Sequence, residues 1–156
     1  MDLGLRGKRA LVTGATKGIG RAIVDLLAAE GCDIALCARS EDEVESAVRE
    51  IKTKGVNVSG SAVNVRDAEA YKGWLERSVA ELGGCDIFIP NVSAGGGMDS
   101  EKNWWKCFEV DVLHTVRGCE FLVPHLEKSG HGSVVIISST NALETFYAPM
   151  AYNAMK

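Results

Sequence analysis

Tyr152 and Lys156 stand four residues apart, and Ser139 lies thirteen residues before the tyrosine. Near the start of the chain runs a glycine-rich stretch, Thr13-Gly14-Ala15-Thr16-Lys17-Gly18-Ile19-Gly20. On a helix, a four-residue spacing puts two side chains on one face. A free phenol titrates at about pH 10, and an adjacent ammonium stabilises its phenolate, so a Tyr–Lys pair suits proton exchange with a substrate oxygen. A carbonyl needs that proton when a hydride reaches its carbon. The glycines suit a different role. They let backbone approach a pyrophosphate, while the N–H groups at the start of a helix face the anion.

Both motifs depend on the elements that carry them. Residues 9–13 form a short apolar run before the glycines and read as a buried strand. Residues 20–30 then place Ile23, Leu26, Leu27 and Glu30 at helical spacing and end at Gly31. Further strands are expected at 33–38, 56–63, 85–90 and 133–137. Ser40 with Glu43 forms a capping box for a helix ending before Gly55. Helices are also expected at 68–82 and, as one long element, at about 100–126. This alternation implies right-handed crossovers and a parallel sheet with helices on both faces. The near-continuous apolar strands agree with burial on both sides. No repeat or linker divides residues 1–156, so one domain is expected.

The glycine spacing is Gly-x-x-x-Gly-x-Gly rather than Gly-x-Gly-x-x-Gly, and alone it is equally a tight turn packing helix against strand. Its position after the first strand of an alternating fold favours a nucleotide phosphate. At the end of the second strand an acidic residue accepts from a free ribose 2′-hydroxyl, whereas arginine suits a 2′-phosphate. Ala38 and Arg39 occupy that point, and Lys17 adds a cation within the turn. NADP is therefore expected over NAD.

Composition narrows the class further. The chain has 156 residues, 46% hydrophobic and 24% charged, with a formal net charge of −4, which gives no electrostatic reason to expect nucleic acid. No apolar run approaches the roughly 18 residues of a membrane span. Met1 to Arg6 lacks an apolar signal core. Five dispersed cysteines and three histidines show no metal-ligand spacing, and reduced, buried thiols in a cytoplasmic protein are expected.

With these residues in place, the chain resembles the short-chain dehydrogenase/reductase family over its whole length. The glycine turn Thr13 to Gly20, the strand Gly-Ser-Val-Val-Ile-Ile, Ser139, Tyr152 and Lys156 carry the likeness. The resemblance implies a Rossmann-like doubly wound parallel sheet, and an NADP(H)-dependent oxidoreductase acting on a small carbonyl or alcohol. Tyr152 would exchange the proton, Lys156 would also bond the nicotinamide ribose, and Ser139 would hold the substrate oxygen. Cofactor contacts would come from Gly14, Thr16, Lys17, Gly18, Ile19 and Gly20. They would continue through Arg39, Ser40, Asn64, Val65 and Asn91 to Tyr152 and Lys156.

Some positions depart from the family pattern. Asp111 stands where the family has an Asn whose carbonyl holds a water touching the lysine, so it is grouped with the catalytic set, with a negative charge close to Lys156. Asn64 replaces an Asp that meets adenine, and Pro90-Asn91-Val92-Ser93 replaces Asn-Asn-Ala-Gly. Family members also continue beyond the lysine. A fragment of a longer chain is therefore expected, with residues 133–137 at an open edge and an apolar stripe (Val112, Val116, Phe121, Leu122) uncovered. The full-length parent would be a homo-oligomer, a dimer or tetramer.

At least one of Trp104 and Trp105 is expected in packing. Tyr147 reads as packing or pocket wall, and Glu144, Phe146 and Met150 as a mixed substrate mouth. The alternative function is a non-catalytic cofactor-binding or interaction protein, or an inactive fragment of the reductase. A sugar-nucleotide epimerase, which also uses Tyr-x-x-x-Lys, is a third and weaker reading.

Overall fold

The computed structural model describes residues 3–145 and 147–156. Five strands form one parallel sheet in the order β3-β2-β1-β4-β5: β1 Arg9–Thr13, β2 Asp33–Ala38, β3 Val58–Ala62, β4 Ile87–Ile89 and β5 Ser133–Val134. The connecting helices are α1 Gly18–Ala29, α2 Glu41–Lys52, α3 Ala68–Leu82, α4 Glu101–Cys107 and α5 His114–Ser129, and α6 Met150–Met155 follows β5.

Side chains alternate across a strand, and here β1, β2 and β4 each feed two cores. Ala10, Val12, Ile34, Leu36, Ile87 and Ile89 pack with α1 and α2 on one face. Leu11, Ala35, Cys37 and Phe88 meet Tyr71, Trp74 and Leu122 from α3 and α5 on the other. The expected Rossmann-like doubly wound sheet is thus present. Three helices start on side-chain caps: Ser40 accepts from Glu43 N, Asp67 from Ala70 N and Ser100 from Asn103 N. At the base of the sheet, Arg9 Nε and its own N–H both reach Asp86 Oδ2, at 2.7 and 2.9 Å, joining β1 to the start of β4.

Several boundaries differ from expectation. The first helix begins at Gly18, and its buried residues are Gly20, Val24 and Ala28, with Leu26 exposed. The third and fourth strands are shorter than their apolar runs, because the pairing ends before the runs do. On β5 only Ser133 and Val134 form ladder pairs, although Val135 N and Ile137 N still reach Phe88 O and Pro90 O. Val135 and Ile136 lie exposed along that edge.

The long fourth helix runs on to Ser129, three residues past the expected end, and it is not uniform. Phe108–Leu113 is a π-helical stretch between α4 and α5. The expected uncovered stripe is only partly so: Leu122 is fully buried and Phe121 packs on the second core, while Val116 and Val123 are exposed. Of the tryptophan pair, Trp105 is exposed edge-on to Phe108 and Trp104 is only half-buried, so Trp74 takes the core place.

Gly118 lets α5 settle on the sheet. A Cβ there would stand 2.4 Å from Phe88 Cζ and 2.8 Å from the Tyr71 hydroxyl, both fully buried rings. Gly118→Ala should therefore destabilise the protein by about 1–3 kcal/mol despite the better helix propensity of alanine, as overpacking does. A urea midpoint equal to or above wild type would contradict this close contact.

Candidate active site

The glycine turn is held by the loop that follows β4. Asn91 Nδ2 donates to the carbonyls of Thr13 and Gly14, both at 3.0 Å. The N–H groups of Asn91 and Val92 donate to Thr13 Oγ1 at 3.0 and 3.3 Å. Gly14 has φ 65°, a left-handed conformation that favours glycine. Gly20 is needed for a different reason: a Cβ there would come within 2.3 Å of Gly14 O. Helix α1 can thus start directly behind the turn, with its first N–H groups lacking intrahelical partners.

Between this turn and the ends of β2 and β3 lies a cavity of about 660 Å³. Eight of the expected cofactor residues line it: Gly14, Thr16, Lys17, Arg39, Ser40, Asn64, Val65 and Asn91. Gly18, Ile19 and Gly20 do not; they form the first turn of α1, with Gly18 and Ile19 exposed. Asn64 directs its Oδ1 to Arg66 N at 3.2 Å, closing a local turn. Four cations, Lys17, Arg39, Arg66 and Lys106, reach the lining. Gly20 packs where any side chain would intrude, and the cations meet the needs of phosphate groups, so the residues present fit a dinucleotide.

Glu43, Arg66, Lys106 and Val110 also line the cavity, and the sequence pattern does not mark them as site residues. Glu43 is legible there only as half of a capping box. The four-residue step from Lys106 to Val110 puts both on one helix face, but no motif marks that face as the cavity wall.

The second group of side chains lies beyond the Val110 end of the cavity. Lys156 Nζ is 3.0 Å from Asp111 Oδ1, 3.4 Å from the Ile137 carbonyl, and 5.6 Å from the centre of the Tyr152 ring. The two charged side chains are 6% and 1% exposed. Asp111 Oδ2 accepts from Ala94 N at 3.1 Å, and Ala94 O accepts from Lys106 Nζ at 2.9 Å, so one chain of contacts joins the cavity to the lysine. The Asp111 side chain meets Lys156 directly, while its carbonyl accepts from the Thr115 hydroxyl at 3.4 Å.

Ser139 begins a 3₁₀ turn, Thr140–Ala142, and its Oγ accepts from Asn141 N at 3.2 Å. Asn141 Nδ2 donates to Asn153 Oδ1 at 2.9 Å, tying that turn to α6. Tyr147, expected in packing or a pocket wall, is exposed instead, as are Glu144 and Met150. Phe146, Met1 and Asp2 lie outside the described residues.

The π stretch explains a buried histidine. His114 N–H bonds Glu109 O, five residues back, which leaves the Val110 carbonyl to the His114 ring Nδ1. On its other side Nε2 faces Thr13 Oγ1 at 3.4 Å. Thr13 Oγ1 already accepts two N–H groups, so its proton goes to Nε2 and the ring's own proton sits on Nδ1. Burial pushes the His114 pKa down to about 4, partly offset by the Val110 carbonyl and by Asp111, with Lys156 acting in the same sense as burial.

The five cysteines are free, and burial raises Cys32 to about 11 and Cys85 to about 12. Among the described residues, no helix is long and apolar enough to cross a membrane.

A doubly wound parallel sheet with a cationic cavity at its first glycine turn defines an α/β protein of the dinucleotide-binding class. The family model for short chain dehydrogenase matches residues 8–156, and the chain belongs to that family of NAD- or NADP-using oxidoreductases. It is 36% identical over 157 residues to dehydrogenase/reductase SDR family member 4 of Bos taurus, covering 97% of this chain and 56% of that protein. L-sorbose reductase from Gluconobacter frateurii, solved with NADPH and L-sorbose, superposes with a TM-score of 0.95 at 33% identity, over 99% of this chain and 61% of that one. Carveol dehydrogenase from Mycobacterium avium, solved with NAD, gives 0.89 at 25% identity, over 96% and 61%. The chain spans a little over half the length of the curated relatives it matches.

The histidine carries a pH prediction. Its folded pKa lies below its unfolded value of about 6.5, so the stabilisation is complete above that pH and is lost as pH falls toward 4. A loss on the order of 2–3 kcal/mol between pH 6.5 and 4 is expected. His114→Gln should remove that part of the slope in urea titrations, and an unchanged slope would show that the ring is not held neutral.

Proposed function

We propose that the full-length protein transfers a hydride between NADP(H) and a small carbonyl or secondary alcohol. The observation that carries this reading is the lysine that caps α6 beside the tyrosine: Lys156 Nζ lies 5.6 Å from the centre of the Tyr152 ring and is anchored by the Ile137 carbonyl. When bound, the nicotinamide supplies or takes the hydride. Tyr152 donates its hydroxyl proton to the substrate oxygen during reduction and recovers it in the reverse direction. Lys156 stabilises the phenolate left behind and bonds the nicotinamide ribose. Ser139 holds the substrate oxygen and stabilises its developing charge.

The cofactor-binding set is Gly14, Thr16, Lys17, Gly18, Ile19, Gly20, Arg39, Ser40, Asn64, Val65 and Asn91, with Tyr152 and Lys156 at the nicotinamide end. NADP over NAD is supported by Arg39 and Lys17 on the cavity rim and by the absence of a carboxylate at the end of β2. Residues 1–156 act as one dinucleotide-binding domain of a cytoplasmic homo-oligomer, a dimer or tetramer. The free, mostly buried thiols and the exposed Val116 and Val123 on α5 support these readings.

One observation favours the second reading, a non-catalytic cofactor-binding or interaction protein. The Asp111 carboxylate offsets the charge that Lys156 would offer to a phenolate. Two variants of the full-length protein separate the readings. Tyr152→Phe should lower turnover by about 10²–10⁴-fold and weaken NADPH binding far less; retained turnover would remove the assigned role. Asp111→Asn, which removes the charge beside Lys156, should change the turnover of an active wild type by less than Tyr152→Phe does. A silent wild type that gains turnover on this substitution would support the non-catalytic reading instead.

A further inference from the structure

The capping box that opens α2 is only half made. Ser40 Oγ accepts from Glu43 N at 3.4 Å, as a cap should, but the Glu43 carboxylate does not turn back to the Ser40 N–H. It leans into the cavity instead: Oε1 is 3.2 Å from Lys17 Nζ, and Oε2 accepts from Thr16 Oγ1 at 3.0 Å. Lys17, Thr16, Arg39, Ser40 and Glu43 all border the same cavity. A single carboxylate therefore occupies two donors at the part of the rim where the cations gather.

We propose that Glu43 is a specificity-determining residue, a displaceable internal anion that weakens the cavity's preference for a ribose 2′-phosphate over a free 2′-hydroxyl. This deepens the NADP reading given above and rests on it. Two observations and the charge argument that follows from them carry it. The Lys17–Glu43 pair is exposed, at 79% and 43% for the two side chains, and such pairs are weak enough for an incoming phosphate to exchange with the carboxylate. Lys17 and Thr16, with Arg39 at longer range, hold the Glu43 carboxyl below its ordinary range, so it is anionic at neutral pH. A 2′-phosphate carrying up to two negative charges would then compete with Glu43 for Lys17 and be repelled by it, whereas a neutral 2′-hydroxyl would not.

Glu43→Gln tests the proposal in the full chain. The variant keeps the backbone cap on Ser40 and a side chain of the same shape, and removes only the charge. Adenosine 2′,5′-bisphosphate and 5′-AMP serve as probes in calorimetric titrations, so no turnover is needed. The bisphosphate should bind roughly three- to fivefold tighter to the variant than to wild type, with 5′-AMP unchanged, and the gain should shrink at 0.5 M salt. An unchanged or weaker bisphosphate affinity, or equal tightening of both probes, would overturn the role of Glu43. Failure of the NADP reading has a different signature: Lys17→Ala and Arg39→Ala would leave bisphosphate binding unaltered. Loss of bisphosphate affinity in those two variants with no gain in Glu43→Gln would reject the Glu43 proposal alone.

Discussion

The site depends on how closely β1, α1 and the loop after β4 approach one another at the first turn. Gly20 leaves no room for a Cβ against the Gly14 carbonyl, and the Asn91 amide spans the carbonyls of Thr13 and Gly14. Thr13 receives two further N–H groups from the same loop. Backbone groups that would otherwise be buried without partners are thereby satisfied, which is the condition for any chain segment to be packed away from water. The cavity is the space left open in front of this knot. Its walls come from the turn after β1, the end of β2, the segments that follow β2 and β3, the loop after β4, and Lys106 and Val110 of the long helix.

The π stretch in the long helix extends the same network. By shifting one backbone bond to Glu109, it leaves the Val110 carbonyl to His114, whose other nitrogen returns to Thr13. Extra residues of this kind inside helices are frequent at functional sites because they redirect side chains. Here the redirected side chains are Val110, which lines the cavity, and Asp111, which meets Lys156. A single helical irregularity thus touches both the nucleotide-type cavity and the Tyr–Lys face.

Charge is distributed against the overall balance. The chain carries a formal net charge of −4, yet Lys17, Arg39, Arg66 and Lys106 converge on one cavity. Carboxylates temper two of them, Glu43 at Lys17 and Glu109 at Arg66, and beyond the cavity Asp111 pairs with Lys156. Two of these pairs are exposed enough for water and salt to weaken them. The third is desolvated, so its charges act on one another much more strongly. The solved structures it resembles include one with NADPH and one with NAD, so the shared fold accommodates either cofactor.

The sequence by itself determined the alternating sheet, the location of the glycine turn and the family, because these rest on local patterns. Two-residue alternation, caps and glycine spacing are written into neighbouring positions. It also marked Lys17, Arg39 and Lys156 as charges to watch, and Asp111 as a charge near the lysine. Only the tertiary structure decided which charges meet. The Asp111–Lys156 pair joins residues 45 positions apart, and Glu43 reaches Lys17 across 26, so neither contact follows from local spacing. Lys106 and Val110 became cavity wall through the seating of their helix against the loop after β4. Leu26 and Leu122 carry the same side chain, yet one is exposed and the other buried. The reason is physical: helical periodicity identifies an apolar face, but how far that face is covered depends on the partner packed against it.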